Sequence, residues 1–142
     1  MRQSVSITLA VLFILCICSR ATAERFQASA DKQFIGAWAG SWEGGGGSGK
    51  IEVTIAKDDA GKFTGKVAVS TDGGDYTADF KSLAFEGNKM TAKYDFPFDE
   101  QGEVVLTATF ESASLKGSWS LRSKSDGNEM ISGTWTATRK SS

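Results

Sequence analysis

Histidine is absent from all 142 residues, and that absence closes off several chemistries together. A Ser-His-Asp or Cys-His nucleophile system, a histidine-held zinc and a histidine-held haem all need an imidazole. Cysteine is nearly absent as well, with Cys16 and Cys18 the two copies in the chain. Proline occurs once, at Pro97. Charge of neither sign dominates, with 16 Lys and Arg against 17 Asp and Glu, so nothing in the balance calls for nucleic acid or an acidic membrane as partner.

The apolar run from Ile7 to Cys18 is too short to span a bilayer, which takes about 20 residues. Preceded by Arg2 and followed by Ala21-Thr22-Ala23, it has the layout of a signal peptide over residues 1–23. A lipid-anchored cysteine is not expected, because Cys16 follows Leu15 and Cys18 follows Ile17 rather than a small residue. Cleavage after Ala23 would send out a chain without cysteine, secreted or periplasmic, with no inserted segment left and no disulfides to stabilise it. Its stability must then come from one apolar core. A polar segment, residues 24–32, precedes the domain expected over 33–142.

From Phe34 onward the chain reads as short alternating strands separated by turn residues. Ile51, Val53 and Ile55 share one face, as do Phe63, Gly65, Val67 and Val69 after the turn at Asp58-Asp59-Ala60-Gly61. Tyr76, Ala78 and Phe80 continue the pattern, but Leu83 and Phe85 have the opposite parity, which predicts a bulge or a break near Lys81 and Ser82. Gly87-Asn88 marks a hairpin into Met90, Ala92, Tyr94 and Phe96, and a looser loop from Pro97 to Gly102 leads to Val104, Leu106, Ala108 and Phe110. Leu115 to Leu121 and Ile131 to Ala137 complete an expected all-β fold of about eight strands. Short connections make sequence neighbours antiparallel neighbours in space, and closure of first strand on last removes the exposed edges. The expectation is an antiparallel up-and-down barrel, with a two-sheet β-sandwich as the alternative.

Glycine and tryptophan recur two residues apart in Gly40-Ser41-Trp42, Gly117-Ser118-Trp119 and Gly133-Thr134-Trp135, and more loosely in Gly36-Ala37-Trp38. Such pairs share a strand face, where a missing side chain beside a very large one suits a narrow barrel interior. The segment Phe34-Ile35-Gly36-Ala37-Trp38 resembles the Phe-x-Gly-x-Trp that opens the first strand of lipocalins and fatty-acid-binding proteins, the calycin group. In that group the tryptophan commonly packs on a basic residue near the end of the last strand. The resemblance therefore implies a barrel-closing pair of Trp38, or Trp42 in the other register, with Arg139. Length and meander also resemble the avidin barrel. Departures are the missing lipocalin disulfides, a loose match of Gly74-Asp75-Tyr76 to the lipocalin Thr-Asp-Tyr turn, and no mappable set of biotin-binding residues.

Gly44 to Lys50 has the spacing of a phosphate-binding loop, but Ile51 stands where a Ser or Thr would hold magnesium, and a strand pattern follows instead of a helix. It reads as a hairpin connection. Aspartates 58, 59, 72, 75, 99 and 126 fall in turns, where backbone hydrogen bonding favours them, and no calcium-loop spacing occurs. No metal, cofactor or catalytic residue is therefore expected. The inward face offers only phenol and indole groups as polar handles, which points away from acid–base catalysis and toward a small hydrophobic or aromatic ligand. Trp42, Tyr94, Phe110, Trp119 and Trp135 are the expected ligand-binding residues. The alternative is a solid-core barrel acting as an inhibitor-like or accessory module on an exported partner.

Overall fold

A computed structural model describes residues 32–141. The expected signal peptide and the polar segment up to residue 31 lie outside the described residues. Nine strands form one antiparallel sheet: β1 (Gly36–Gly44), β2 (Gly47–Lys57), β3 (Phe63–Thr71), β4 (Gly74–Asp79), β5 (Ser82–Glu86), β6 (Lys89–Asp95), β7 (Gly102–Glu111), β8 (Ser114–Ser123) and β9 (Glu129–Arg139). Their order, β4-β3-β2-β1-β9-β8-β7-β6-β5, places the first strand beside the last. Trp38 faces Arg139 and Trp42 faces Trp135 across that junction. One curled sheet thus replaces the two-sheet alternative.

The count is nine rather than about eight, and the parity slip at Lys81 and Ser82 is the reason. β4 and β5 run in the same direction and follow each other in sequence, but β4 pairs with β3 while β5 pairs with β6. The switch occurs at two consecutive residues: the Phe80 N–H donates to the Gly65 carbonyl of β3, and the Lys81 N–H donates to Lys93 of β6. The two free edges of the sheet are therefore β4 and β5 themselves. Side chains bridge the seam between them and their opposite neighbours, Tyr76 of β4 meeting Tyr94 of β6 and Phe63 of β3 meeting Phe85 of β5. On the outside, Lys81 pairs with Asp95 at 2.8 Å and with Glu103.

Three tryptophans repeat one geometry. Trp42 stands opposite Gly49 on β2, and its indole N–H passes over that glycine to the Ser70 carbonyl on β3 at 3.0 Å. Trp119 crosses Gly133 to the Glu43 carbonyl on β1, and Trp135 crosses Gly117 to the Thr107 carbonyl on β7, each at 3.0 Å. At all three glycines a Cβ would overlap the same carbonyl oxygen that accepts the indole hydrogen. An aromatic laid on a cross-strand glycine covers backbone that the missing side chain would leave exposed. The three indoles tie together β7, β8, β9, β1, β2 and β3.

Strand directions put the turns at 45–46 and 72–73 and the loops 96–101 and 124–128 at one end of the sheet. Turns 87–88 and 112–113 and loop 58–62 lie at the other, together with the entering segment 32–35. That second end is filled: Phe34, fully buried, packs on Phe85 and Phe110, and Trp38 packs edge-on against Phe110. The Trp38 indole donates to the Phe34 carbonyl at 2.9 Å. Arg139 lies over the Trp38 ring at 4.4 Å and donates to the Ile35 and Gln33 carbonyls. Of the two registers open from sequence, Trp38 is the one that meets Arg139.

The turn from β7 to β8 holds two non-glycine residues with left-handed backbone, Ser112 at φ 47° and Ala113 at φ 65°. Each such residue carries a steric penalty of about 1 kcal/mol, and Asn-Gly is the pair this turn favours. The double substitution Ser112→Asn, Ala113→Gly should raise the unfolding free energy by about 1–2 kcal/mol, read as a higher urea midpoint at unchanged slope. An unchanged midpoint would show the turn to be unstrained.

Candidate functional site

Filling one end of the sheet leaves space at the other. A cavity of about 220 Å³ opens at the end that carries the Gly45-Gly46 turn. Its floor is Ile51, Tyr94 and Leu106, all buried, and its sides include Val69, Val104 and Leu121. Trp42 and Trp119 meet edge to face within its wall, centroids 5.6 Å apart. Gly44, Gly45 and Gly47 form one lip, where Gly45 and Gly46 take φ +60° and +81° in a tight hairpin turn into β2. The Gly-x-x-x-x-Gly-Lys spacing is thereby spent on a turn with no helix after it.

Phe96, Phe98 and Ile131 rim the mouth. Phe98 is 56% exposed and Ile131 44%. Phe98 leans edge-on against Tyr76 and Phe96, roofing the upper seam between β4 and β6. Phenylalanine on an open loop stays exposed only against the hydrophobic effect.

None of the side chains lining the cavity is charged. The titratable groups there are Tyr76 and Tyr94, the two tyrosines of the chain, whose hydroxyls lie 2.8 Å apart across the seam. Burial pushes the Tyr94 hydroxyl far above the ordinary phenol range, and the neighbouring Tyr76 adds to the shift through its charge and the hydrogen bond. Burial also raises Tyr76, against the hydrogen bond with Tyr94, which pulls it back down. Both groups are neutral donors and acceptors at physiological pH. Among the described residues no cluster of three or more His, Cys, Asp or Glu converges as a metal site. Asp58, Asp99 and Asp126 instead accept backbone N–H groups within their own turns.

The structure brings Trp42, Tyr94 and Trp119 of the expected ligand-binding set together at the cavity. Phe110 and Trp135 lie apart from it. Inward residues descend along β7 from Val104 to Phe110, so Phe110 ends in the filled half against Phe34 and Trp38. Trp135, though opposite Trp42 in register, turns toward β7 to reach the Thr107 carbonyl and is buried in the layer beneath. Sequence reading passed over Tyr76, Phe96, Phe98 and Ile131. Tyr76 carried a signal, since it and Tyr94 both occupy apolar-face positions.

No protein-family model matches the chain, and no curated protein matches it. Among solved structures the chain is similar to that of EF1p2_mFAP2b bound to DFHBI, with a TM-score of 0.62 and 12% sequence identity. The match covers 78% of this chain and 97% of that one. At this identity the likeness is one of fold alone.

Tyrosine ionisation gives a direct test of the site. A phenol whose pKa is raised in the folded state favours folding below its unfolded value, about 10, and withdraws that support as pH rises further. Folded protein should therefore show less tyrosinate absorbance than two ordinary phenols at a pH of about 10.5, the remainder appearing at higher pH or with alkaline unfolding. Titration along an ordinary phenol curve while the protein stays folded would show that the pair is solvated.

Proposed function

We propose that this chain is an exported, non-enzymatic barrel that binds one small, uncharged aromatic or hydrophobic molecule in the open end of its sheet. The observation that carries the reading is the apolar cavity of about 220 Å³, bounded by Trp42, Trp119, Tyr76, Tyr94 and Phe96. An apolar cavity of about 150 Å³ is enough to hold benzene, so this volume suits a ligand of one or two fused rings and is too small for a long acyl chain. A hollow end also supports this reading over that of a solid-core accessory module. The structure of EF1p2_mFAP2b bound to DFHBI is a barrel of similar fold in complex with a ligand, which supports ligand carriage as a use of this shape.

The lining chemistry supports binding over reaction. General acid–base catalysis works best with a group whose pKa lies near the operating pH. Both phenols are pushed the other way. Area burial and ring stacking supply the affinity, and charge supplies none. Export rests on Arg2, the Ile7 to Cys18 run and the Ala21-Thr22-Ala23 site.

A ligand of about ten heavy atoms in such a site should bind with a Kd on the order of 1–100 µM. Titration with a panel of mono- and bicyclic aromatics should perturb tryptophan fluorescence through Trp42 and Trp119. Val104→Phe, which fills the cavity from its wall, should weaken binding at least about tenfold while far-ultraviolet circular dichroism stays unchanged. A panel in which no compound binds below about 1 mM would remove this function.

A further inference from the structure

Hydrogen bonding in the cavity wall leaves one side-chain donor unused. The Trp42 and Trp119 indoles donate to the Ser70 and Glu43 carbonyls, and the Thr71 hydroxyl donates to the Gly74 carbonyl at 2.6 Å. The two phenols hold two protons between them, and the contact at 2.8 Å uses one. Tyr94, only 2% exposed, is the deeper group. Tyr76 is the shallower one, partly exposed and packed edge-on against Phe96 and Phe98 at the mouth. With Tyr94 donating to the Tyr76 oxygen, the Tyr76 proton is left for an acceptor on a molecule in the cavity. A bound molecule that carries an acceptor takes over that donor from the water an open mouth admits.

We propose that Tyr76 is the specificity-determining residue of the site, donating a hydrogen bond to a carbonyl oxygen or ring nitrogen on the edge of an uncharged aromatic ligand. Tyr94 is its positioning residue, fixing the Tyr76 oxygen from below. This inference rests on the binding function proposed above and adds the polar feature of the ligand. A carboxylate gains least, because no lining side chain is cationic and burial of an unpaired anion is strongly unfavourable.

The test uses three ligands of one shape, indane, 1-indanone and indane-1-carboxylate, against the exported protein and its Tyr76→Phe and Tyr94→Phe variants, by calorimetry. In the unaltered protein indanone should bind about tenfold tighter than indane, and the carboxylate weakest. Tyr76→Phe should bring indanone to the level of indane, with an unchanged far-ultraviolet circular dichroism spectrum reporting that the variant is folded. Tyr94→Phe should reduce the indanone advantage and move the ionisation of the remaining Tyr76 to higher pH. Equal affinities for indane and indanone in the unaltered protein, or an indanone advantage that survives Tyr76→Phe, would overturn the role of Tyr76. A Tyr76 titration unmoved by Tyr94→Phe would overturn the role of Tyr94. Failure of all three ligands to bind counts instead against the binding function itself.

Discussion

The shape of this molecule depends on one repeated interaction, an indole laid across a cross-strand glycine with its N–H on a carbonyl two strands away. Each part of the unit requires the others. Without the glycine at 49, 117 or 133, a Cβ would occupy the place of the accepting oxygen. Without the indole, that oxygen would lose a donor that reaches it from two strands away. A glycine inside a strand loses about 0.5–1 kcal/mol against alanine, whereas a tryptophan that buries about 150–250 Å² gains several kcal/mol at about 25 cal/mol per Å². The exchange favours the unit three times over. It also draws six strands into a tight curve, since each indole spans three strands and can do so only if the sheet bends toward it.

Much of this was legible as composition and little of it as geometry. The Gly-x-Trp repeat is visible along each strand, and it located the tryptophans and the all-β fold. The working contacts, however, run between copies: Trp119 covers the glycine of the Trp135 repeat, and Trp135 covers the glycine of the Trp119 repeat. Register between strands decides that, and a single strand carries no register. The ninth strand was written in the parity slip at Lys81, but whether such a slip means a bulge or a change of partner depends on which strands lie on either side. The cavity shows the same limit. Trp42, Tyr94, Phe110, Trp119 and Trp135 all face inward by parity, yet the hollow end is set by Phe34, which enters the far end and fills it. Alternation states the face of a residue and says nothing of its depth along the barrel.

A hollow end is a physical burden that the fold carries. A closed, dry cavity of this size would destabilise the protein by about 5 kcal/mol at about 24 cal/mol per Å³ of void. An open mouth lets water in and relieves part of that, at the expense of wetting tryptophan and leucine surface. Water against such walls is poorly held, and its release is the driving force for an apolar ligand. The rigid parts of the site are the tryptophans fixed by their indole bonds. Phe98 and Ile131 stand on the exposed rim of the mouth.

The seam between β4 and β6 shows how the weakest line of the sheet and the polar part of the site come to coincide. Free strand edges invite pairing with other chains, and proteins cover or close them. Here the two edges belong to consecutive strands that switch partners at Phe80 and Lys81, so each edge faces the other sheet end across a short gap. Backbone ladder bonds are missing along that gap, and side chains take their place: phenylalanines at the lower seam, where no polar atom is needed, and the two tyrosines at the upper one. Two phenols bring two donors to one contact, and a contact uses only one of them. A ladder of backbone groups would have satisfied itself completely; a tyrosine bridge cannot. The surplus donor is thus a consequence of how the two edges of the curled sheet meet, and it falls in the wall of the cavity because the upper seam borders the open end.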